Sequence, residues 1–73
     1  MMVELHFFAA ARAAVGASTR SVPAGPLGSV LAAFDYPVIA KCSLLVNGVA
    51  ETDARRLLVD GDTVDVLPPF AGG

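Results

Sequence analysis

The residues best suited to chemistry lie at the C-terminal end of the sequence. This segment reads Leu67-Pro68-Pro69-Phe70-Ala71-Gly72-Gly73. The prolines stiffen the chain because each pyrrolidine ring fixes the backbone angle φ, whereas the two glycines contribute no side chain. The terminal carboxylate of Gly73 would then be the reactive group, and we predict that it is presented to another protein as a substrate.

The composition predicts one small domain and limits its partners. A chain of 73 residues buries only about 60% of its unfolded surface, and a hydrophobic content of 55% is sufficient for this. The net charge of -2 disfavours nucleic acid, which requires a basic surface. Residues 1–6 lack the pattern of a leader peptide, and no apolar run is long enough to span a membrane. We expect a cytoplasmic domain over residues 1–73, with 68–73 as a flexible functional tail and no membrane partner.

Alternating apolar residues predict a first strand at residues 3–8. Val3, Leu5 and Phe7 share one face of this strand. Phe8 falls on the opposite face, where the other side chains are polar. Phe8 is therefore an apolar residue misplaced on the polar face of the strand.

A helical segment should follow two short elements. Residues 9–15 are rich in alanine and favour a short helix or turn, and residues 18–22 favour a second strand. Pro26 suits the first turn of a helix, and Tyr36-Pro37 would end that helix. The helix would bury one apolar stripe, formed by Leu27, Val30, Leu31 and Phe34.

The second half of the sequence predicts a third strand and a turn. The strand covers residues 42–46 and is ended by Asn47-Gly48, a pair typical of tight hairpin turns. Residues 51–56 could hold one helical turn, and residues 57–59 could form a short strand.

The last predicted strand covers residues 63–67, after a turn at 60–62. Its alternation places Val64 and Val66 inward and Leu67 outward. The order of elements predicts an α+β domain in which one face of a sheet packs on a helix.

Four short motifs strengthen this prediction because they occur together and in order. They are Phe7-Phe8-Ala9-x-x-Arg12, Val46-Asn47-Gly48, Asp60-Gly61-Asp62-x-Val64 and Pro68-Pro69-Phe70-x-Gly72-Gly73. With these motifs the chain resembles the small subunit of molybdopterin synthase, within the ubiquitin-like sulfur-carrier family that also contains the thiamine-pathway carrier. The resemblance implies a β-grasp fold, with a mixed sheet packed on one main helix and an extended Gly-Gly tail.

The resemblance also implies the chemistry of the tail. An ATP-using adenylating enzyme, similar to ubiquitin activators, would activate the carboxylate of Gly73, and a sulfur donor would convert it to a thiocarboxylate. The large synthase subunit would take Gly72 and Gly73 into its active site and use the sulfur for the molybdopterin dithiolene. The chain would be non-catalytic alone, would bind no metal or cofactor, and would act in a hetero-oligomer.

Apolar residues on an outward face predict where the partner binds. Phe8 and Leu67 face outward on strands that are neighbours in a β-grasp sheet, and Leu45 would join them. The partner-binding residues of the tail would be Pro68, Pro69, Phe70 and Ala71. The alternative is that a twisted edge or a change of register brings one outward residue into the core, since single exposed apolar residues are common.

Other candidate residues have structural alternatives. Arg12 belongs to the family motif and would either pair with an acidic residue of the partner or bond locally. Cys42 is the only cysteine, which excludes an internal disulfide, and we predict a small core residue rather than a sulfur acceptor. His6 has no second metal ligand nearby and is predicted to be solvated. We predict that Asp60, Asp62 and Asp65 are turn residues or lie on a solvated face. The alternative is that they dock to a basic partner.

Three other functions stay open at this point. The chain could carry sulfur for thiamine or cysteine synthesis, although thiamine-type carriers generally lack both the motif containing Arg12 and the Pro-Pro-Phe tail. A ubiquitin-like modifier would join Gly73 to lysines of other proteins. A plain interaction module would function without its terminal glycines.

Overall fold

The computed structural model describes residues 1–69, in which a five-stranded mixed sheet is covered on one face by three short helices. In chain order the elements are β1 (Met2–Phe7), α1 (Ala9–Val15), β2 (Thr19–Pro23), α2 (Leu27–Ala32), α3 (Pro37–Ala40), β3 (Ser43–Val46), β4 (Val49–Ala50) and β5 (Thr63–Leu67). The strand order is β2-β1-β5-β3-β4, with β1 and β5 parallel and the other three pairings antiparallel. The structure therefore confirms the predicted β-grasp fold.

The alternation predicted for the two inner strands β1 and β5 is present. Val3, Leu5 and Phe7 of β1 are buried, as are Val64 and Val66 of β5. They meet the helices in one core, completed by Ala11, Leu27, Val30, Ile39, Val46 and Leu58. Burial of this continuous apolar face is the main force that holds the sheet to the helices.

The predicted main helix is shorter than expected, and an unpredicted helix, α3, follows it. α2 ends at Ala32 and α3 begins at Pro37, so the prediction of one helix reaching Tyr36 is wrong. Pro37 accounts for the extended backbone of Tyr36, because a proline disfavours the helical conformation of the residue before it, but α2 has already ended at Ala32. Phe34 lies in the connection, yet its ring packs on Phe7 with centroids 5.1 Å apart.

Residues 51–59 form a loop in place of the predicted helical turn and strand. The prediction of a helical turn is wrong, since only a turn closed by the Arg56 N–H and the Asp53 carbonyl, 3.0 Å apart, is present. The predicted strand is reduced to a single bridge between Leu57 and Pro26. Leu58, the middle residue, is buried in the core.

The loop supplies hydrogen-bond acceptors to the beginning of α2. The N–H of Leu27 donates to the Arg56 carbonyl and the N–H of Gly28 donates to the Ala54 carbonyl, both at 2.8 Å. Pro26 precedes the helix and offers no side-chain cap, whereas the first N–H groups of a helix require acceptors. The loop carbonyls are thus used by α2 rather than by a helix of their own.

Asn47 and Gly48 form the predicted turn, which joins β3 to the unpredicted short strand β4. Both have positive φ, 51° and 83°, as in the type I′ turns that favour this pair. The Asn47 side chain also joins the turn to β5, because its Oδ1 accepts the Thr63 N–H at 3.0 Å and its Nδ2 donates to Asp62 Oδ1 at 2.9 Å. This donor and the Val59 N–H lower the pKa of the Asp62 carboxyl.

Candidate functional site

One face of the sheet has no helix of residues 1–69 packed on it, and we call it the open face. Strand register assigns its inner positions to Glu4 and His6 of β1, Thr63, Asp65 and Leu67 of β5, and Ser43 and Leu45 of β3. These side chains alternate with the buried residues of the same strands. The helices of residues 1–69 therefore leave the open face uncovered.

Two apolar side chains lie near each other on the open face. Leu67 ends β5 and is paired with Ser43, whereas Leu45 is paired with Asp65. Leu45 and Leu67 are consequently diagonal neighbours, about 7–8 Å apart in such pairs. Both are half-buried, and neither belongs to the core.

Phe8 extends this apolar surface. Its backbone is extended, with φ -116° and ψ 148°, and its N–H donates to the Val66 carbonyl at 3.2 Å. The parallel ladder thus continues past β1 and places Phe8 beside Leu67. The side chain is 40% exposed. We call Phe8, Leu45 and Leu67 the apolar patch, and none of them is drawn into the core.

The tail leaves the fold next to the apolar patch. Pro68, which follows Leu67, is buried, and Pro69 is exposed. A groove of about 410 Å³ lies beside this exit, lined by Ala9, Ala10, Pro37, Val38, Lys41 and the two prolines. The predictions for Phe70, Ala71, Gly72 and Gly73 concern residues outside those that the structure describes.

Sequence reasoning missed the part of α3 in this groove. In the sequence Pro37 predicts the end of a helix, although proline is also common at the beginning of one. Pro37 and Lys41 bring α3 to the tail exit. The signal was present in the sequence, but its meaning depended on tertiary packing.

Acidic groups accompany the apolar patch on the open face. Glu4 and Asp65 both lie there, and His6 is placed opposite Asp65 in the β1–β5 pairing. His6 Nε2 lies 2.7 Å from Glu4 Oε1 but forms no hydrogen bond and is itself buried, so His6 is less solvated than predicted. Within residues 1–69, no group of three acidic, histidine or cysteine side chains is placed to hold a metal ion.

Arg12 and Cys42 differ in how accessible their functional groups are. The Arg12 side chain is exposed and forms no ion pair with another residue of the described chain, while its carbonyl accepts the Gly16 N–H at 2.8 Å. Cys42 is half-buried at the edge of the core, and its thiol donates to the Val38 carbonyl at 3.1 Å. Burial raises the pKa of the Cys42 thiol, which disfavours the reactive thiolate.

The acidic turn residues have structural partners. Asp60 Oδ1 accepts the Met2 N–H at 2.8 Å, and Asp62 Oδ2 accepts the Val59 N–H at 2.9 Å. The turn predicted at residues 60–62 is confirmed.

No helix of the described chain is both long and apolar enough to cross a membrane.

Several solved structures share this fold. SAMP1 from Haloferax volcanii has a TM-score of 0.81 and 21% identity, with 100% of both chains covered. A chain in the complex of subunits 1 and 2 of molybdopterin-converting factor from Helicobacter pylori has a TM-score of 0.75 and 26% identity, again with 100% of both covered. The HVO 2177 protein of Haloferax volcanii is 32% identical with a TM-score of 0.74, covering 100% of this chain and 87% of that one. Comparison with curated protein sequences gives no match.

A family match covers nearly the whole sequence and includes both terminal glycines. The ThiS family matches residues 5–73. This range spans all five strands, the apolar patch and the tail, apart from the first residues of β1. The chain therefore belongs to the ThiS family of ubiquitin-like sulfur carriers.

Proposed function

We propose that this chain is a sulfur carrier for molybdopterin synthesis. Gly73 would be adenylated, converted to a thiocarboxylate and used to donate sulfur for the dithiolene, in complex with a large synthase subunit. The observation that carries the proposal is the position of the apolar patch at the end of the sheet where the tail leaves. The complex of two molybdopterin-converting factor subunits that shares this fold supports the choice of pathway.

Binding through the apolar patch would aim the tail. Leu67 directly precedes Pro68, so a partner that covers Leu67 also fixes where the tail starts. The six residues from Pro68 to Gly73 span at most about 21 Å when fully extended. The partner would therefore hold its reacting centre within roughly that distance of the patch.

A glycine end suits a narrow channel. Without Cβ atoms, Gly72 and Gly73 could pass where another residue would collide with the channel walls. Ordering each glycine backbone costs about 1–2 kcal/mol. Contacts at the apolar patch would offset this cost, since burial of apolar surface stabilises by about 25 cal/mol per Å².

Charge would orient the complex. Glu4 and Asp65 lie on the open face with the patch, so both the large subunit and the adenylating enzyme would present basic groups around an apolar centre. The exposed guanidinium of Arg12 would pair with an acidic residue of the partner. Complementary charges of this kind speed association and select the partner.

The remaining chemistry belongs to partner proteins in the cytoplasm. ATP would bind to the adenylating enzyme, which forms the acyl-adenylate at Gly73 and releases pyrophosphate. Sulfide-level sulfur from the donor would then attack the acyl carbon and displace AMP as the leaving group, giving the thiocarboxylate. The chain itself would supply the carrier surface and the acyl group, and would bind no cofactor.

The proposal is tested by reconstitution with the large synthase subunit, the adenylating enzyme, ATP, a sulfur donor and the cyclic pterin precursor. Deletion of Gly73, or the substitution Gly72→Val, should abolish dithiolene formation and leave the free energy of unfolding nearly unchanged. The substitution Ala71→Ser is the matched control and should retain activity. Dithiolene formation by the chain without Gly73 would overturn the proposal.

A ubiquitin-like modifier is the second candidate function. The likeness to small archaeal modifier protein 1, which at this identity concerns the fold, is the observation that keeps it in view. High-mass conjugates in which Gly73 is joined to lysines of other proteins would favour it. A carrier for thiamine or cysteine synthesis would form the same thiocarboxylate but would not restore molybdopterin synthesis.

A further inference from the structure

β2 is an edge strand with one unpaired side. It pairs with β1 in regular antiparallel register, from Met2↔Pro23 to His6↔Thr19, and no strand of residues 1–69 lies on its other side. Proteins usually shorten, bulge, cover or charge such an edge because it can pair with another chain. β2 has five residues, four of them exposed, and no bulge in its ladder; its edge-protecting features are the charge of Arg20 and the missing N–H of Pro23 at its end.

Two hydrogen bonds at the ends of this ladder show which way its backbone groups point. The Phe7 N–H donates to the Ser18 carbonyl at 2.8 Å, and the Ala24 N–H donates to the Met1 carbonyl at 3.0 Å. Residues 18 and 24 therefore direct their backbone groups toward β1. Because the direction alternates along a strand, every second residue between them faces the other way.

The four residues Thr19 to Val22 of β2 fall into two pairs by the direction of their backbone groups. Arg20 and Val22 direct their N–H and carbonyl groups toward β1, whereas Thr19 and Ser21 direct theirs away from the sheet. With the carbonyl of Pro23, which also faces outward but has no N–H, the outer side offers two donors and three acceptors at the spacing of a strand ladder. An extended polypeptide strand can form hydrogen bonds with such a row of groups.

An apolar groove lies beside this edge, between β2 and α2. It has a volume of about 310 Å³, and its walls include Val22, Pro26, Val30 and Ala33. Val22 is half-buried and belongs to the side of the sheet that faces the helices, because it pairs with the buried Val3. A side chain of an added strand that points to the helix side would enter this groove.

A charged side chain on the groove side of β2 indicates which peptide side chains would bind. Arg20 precedes Val22 by two residues, so both project from the same side of the sheet. Its side chain is exposed and forms no ion pair within the described chain. An added strand would therefore gain from an apolar residue beside Val22 and a carboxylate two positions away beside Arg20.

We propose that β2 binds an extended peptide segment of another protein as an additional strand, with an apolar side chain in the groove between β2 and α2 and a carboxylate paired with Arg20. This site uses neither the tail nor the apolar patch. It goes beyond the proposed carrier function and allows a second protein to bind while the open face is occupied. Pairing through backbone groups, with side-chain pockets for selection, is a general mode of peptide recognition.

The test is a nuclear magnetic resonance titration of the full chain with a seven-residue peptide, acetylated and amidated. The peptide alternates valine and threonine and carries a glutamate two positions from its central valine. Amide shifts should change at Thr19 to Val22, Val30 and Ala33, and the amides of Thr19 and Ser21 should become protected from hydrogen exchange. Changes confined to Phe8, Leu45 and Leu67, or no changes, would overturn the proposal.

Two pairs of variants separate backbone pairing from charge. Ser21→Pro removes an outward N–H, which an edge strand tolerates, and should weaken binding at least tenfold, whereas Ser21→Ala keeps the N–H and should bind as the parent does. Arg20→Glu should weaken the glutamate peptide and strengthen a lysine peptide, a reversal that can be measured even if the proline variant does not fold. Equal binding of both peptides by Arg20→Glu, or concentration-dependent shifts at β2 without peptide, would contradict the proposed occupant.

Discussion

Truncation of Phe8 to alanine should strongly weaken binding of the large synthase subunit. The side chain is 40% exposed, and a phenylalanine offers roughly 200 Å² of surface, so about 80 Å² is available to a partner. At about 25 cal/mol per Å² this surface contributes about 2 kcal/mol to binding. Phe8→Ala should accordingly raise the Kd for the large synthase subunit about 30-fold.

Isothermal titration calorimetry with the unactivated chain measures this effect without any sulfur chemistry. Val49→Ala is the matched control, because Val49 is 68% exposed but pairs with the buried Val46 and so lies on the opposite side of the sheet. Its Kd should equal that of the parent chain. Far-ultraviolet circular dichroism confirms that both variants are folded. Equal losses of affinity in the two variants, or none in Phe8→Ala, would refute the assignment of the apolar patch as the partner surface.

Three further predictions concern the fold that carries the site. Asn47→Gly keeps a residue suited to positive φ but loses the hydrogen bonds to β5, and urea unfolding should show a loss of about 1–3 kcal/mol; Asn47→Ala should lose about 1 kcal/mol more because alanine resists positive φ. Ala9 has φ 50°, so Ala9→Gly should stabilise the chain by about 0.5–1 kcal/mol, whereas Ala10→Gly in the same helix should destabilise it by about 1 kcal/mol; stabilisation by both would contradict a strained Ala9. Asparagine and backbone donors lower the pKa of Asp62 in the folded chain, so the unfolded state binds more protons and stability falls as pH drops below about 4. Asp62→Asn should reduce the change of the urea midpoint with pH in this acidic range. An unchanged pH dependence would contradict the contribution of the Asp62 carboxyl.

The inner strands could be predicted because their two faces meet different surroundings. Val64 and Val66 are buried while Leu67 is half-buried on the other face, and each position shows in the alternation. Phe8 could be identified as unusual for the same reason. Local pattern and tertiary environment agree along β1 and β5, so the sequence alone is sufficient there.

Elements that depend on distant partners could not be predicted in this way. The loop at residues 51–59 gives its carbonyls to Leu27 and Gly28, and no local pattern reveals that use. The apolar pattern places Phe34 in the predicted helix, whereas Phe34 lies in the connection between α2 and α3 and packs on Phe7 of β1. For the tail exit, Pro37 indicated a helix boundary, but the groove beside Pro68 appears only after α1 and α3 pack together.

Intact-mass spectrometry of the chain, after incubation with ATP, the adenylating enzyme and a sulfur donor, tests the central claim most directly. The account predicts a mass gain equal to the replacement of one oxygen by sulfur, localised by fragmentation to Gly73 and absent when ATP is omitted. An unchanged carboxylate at Gly73, or Gly73 joined to lysines of other proteins instead, would contradict the assignment as a sulfur carrier.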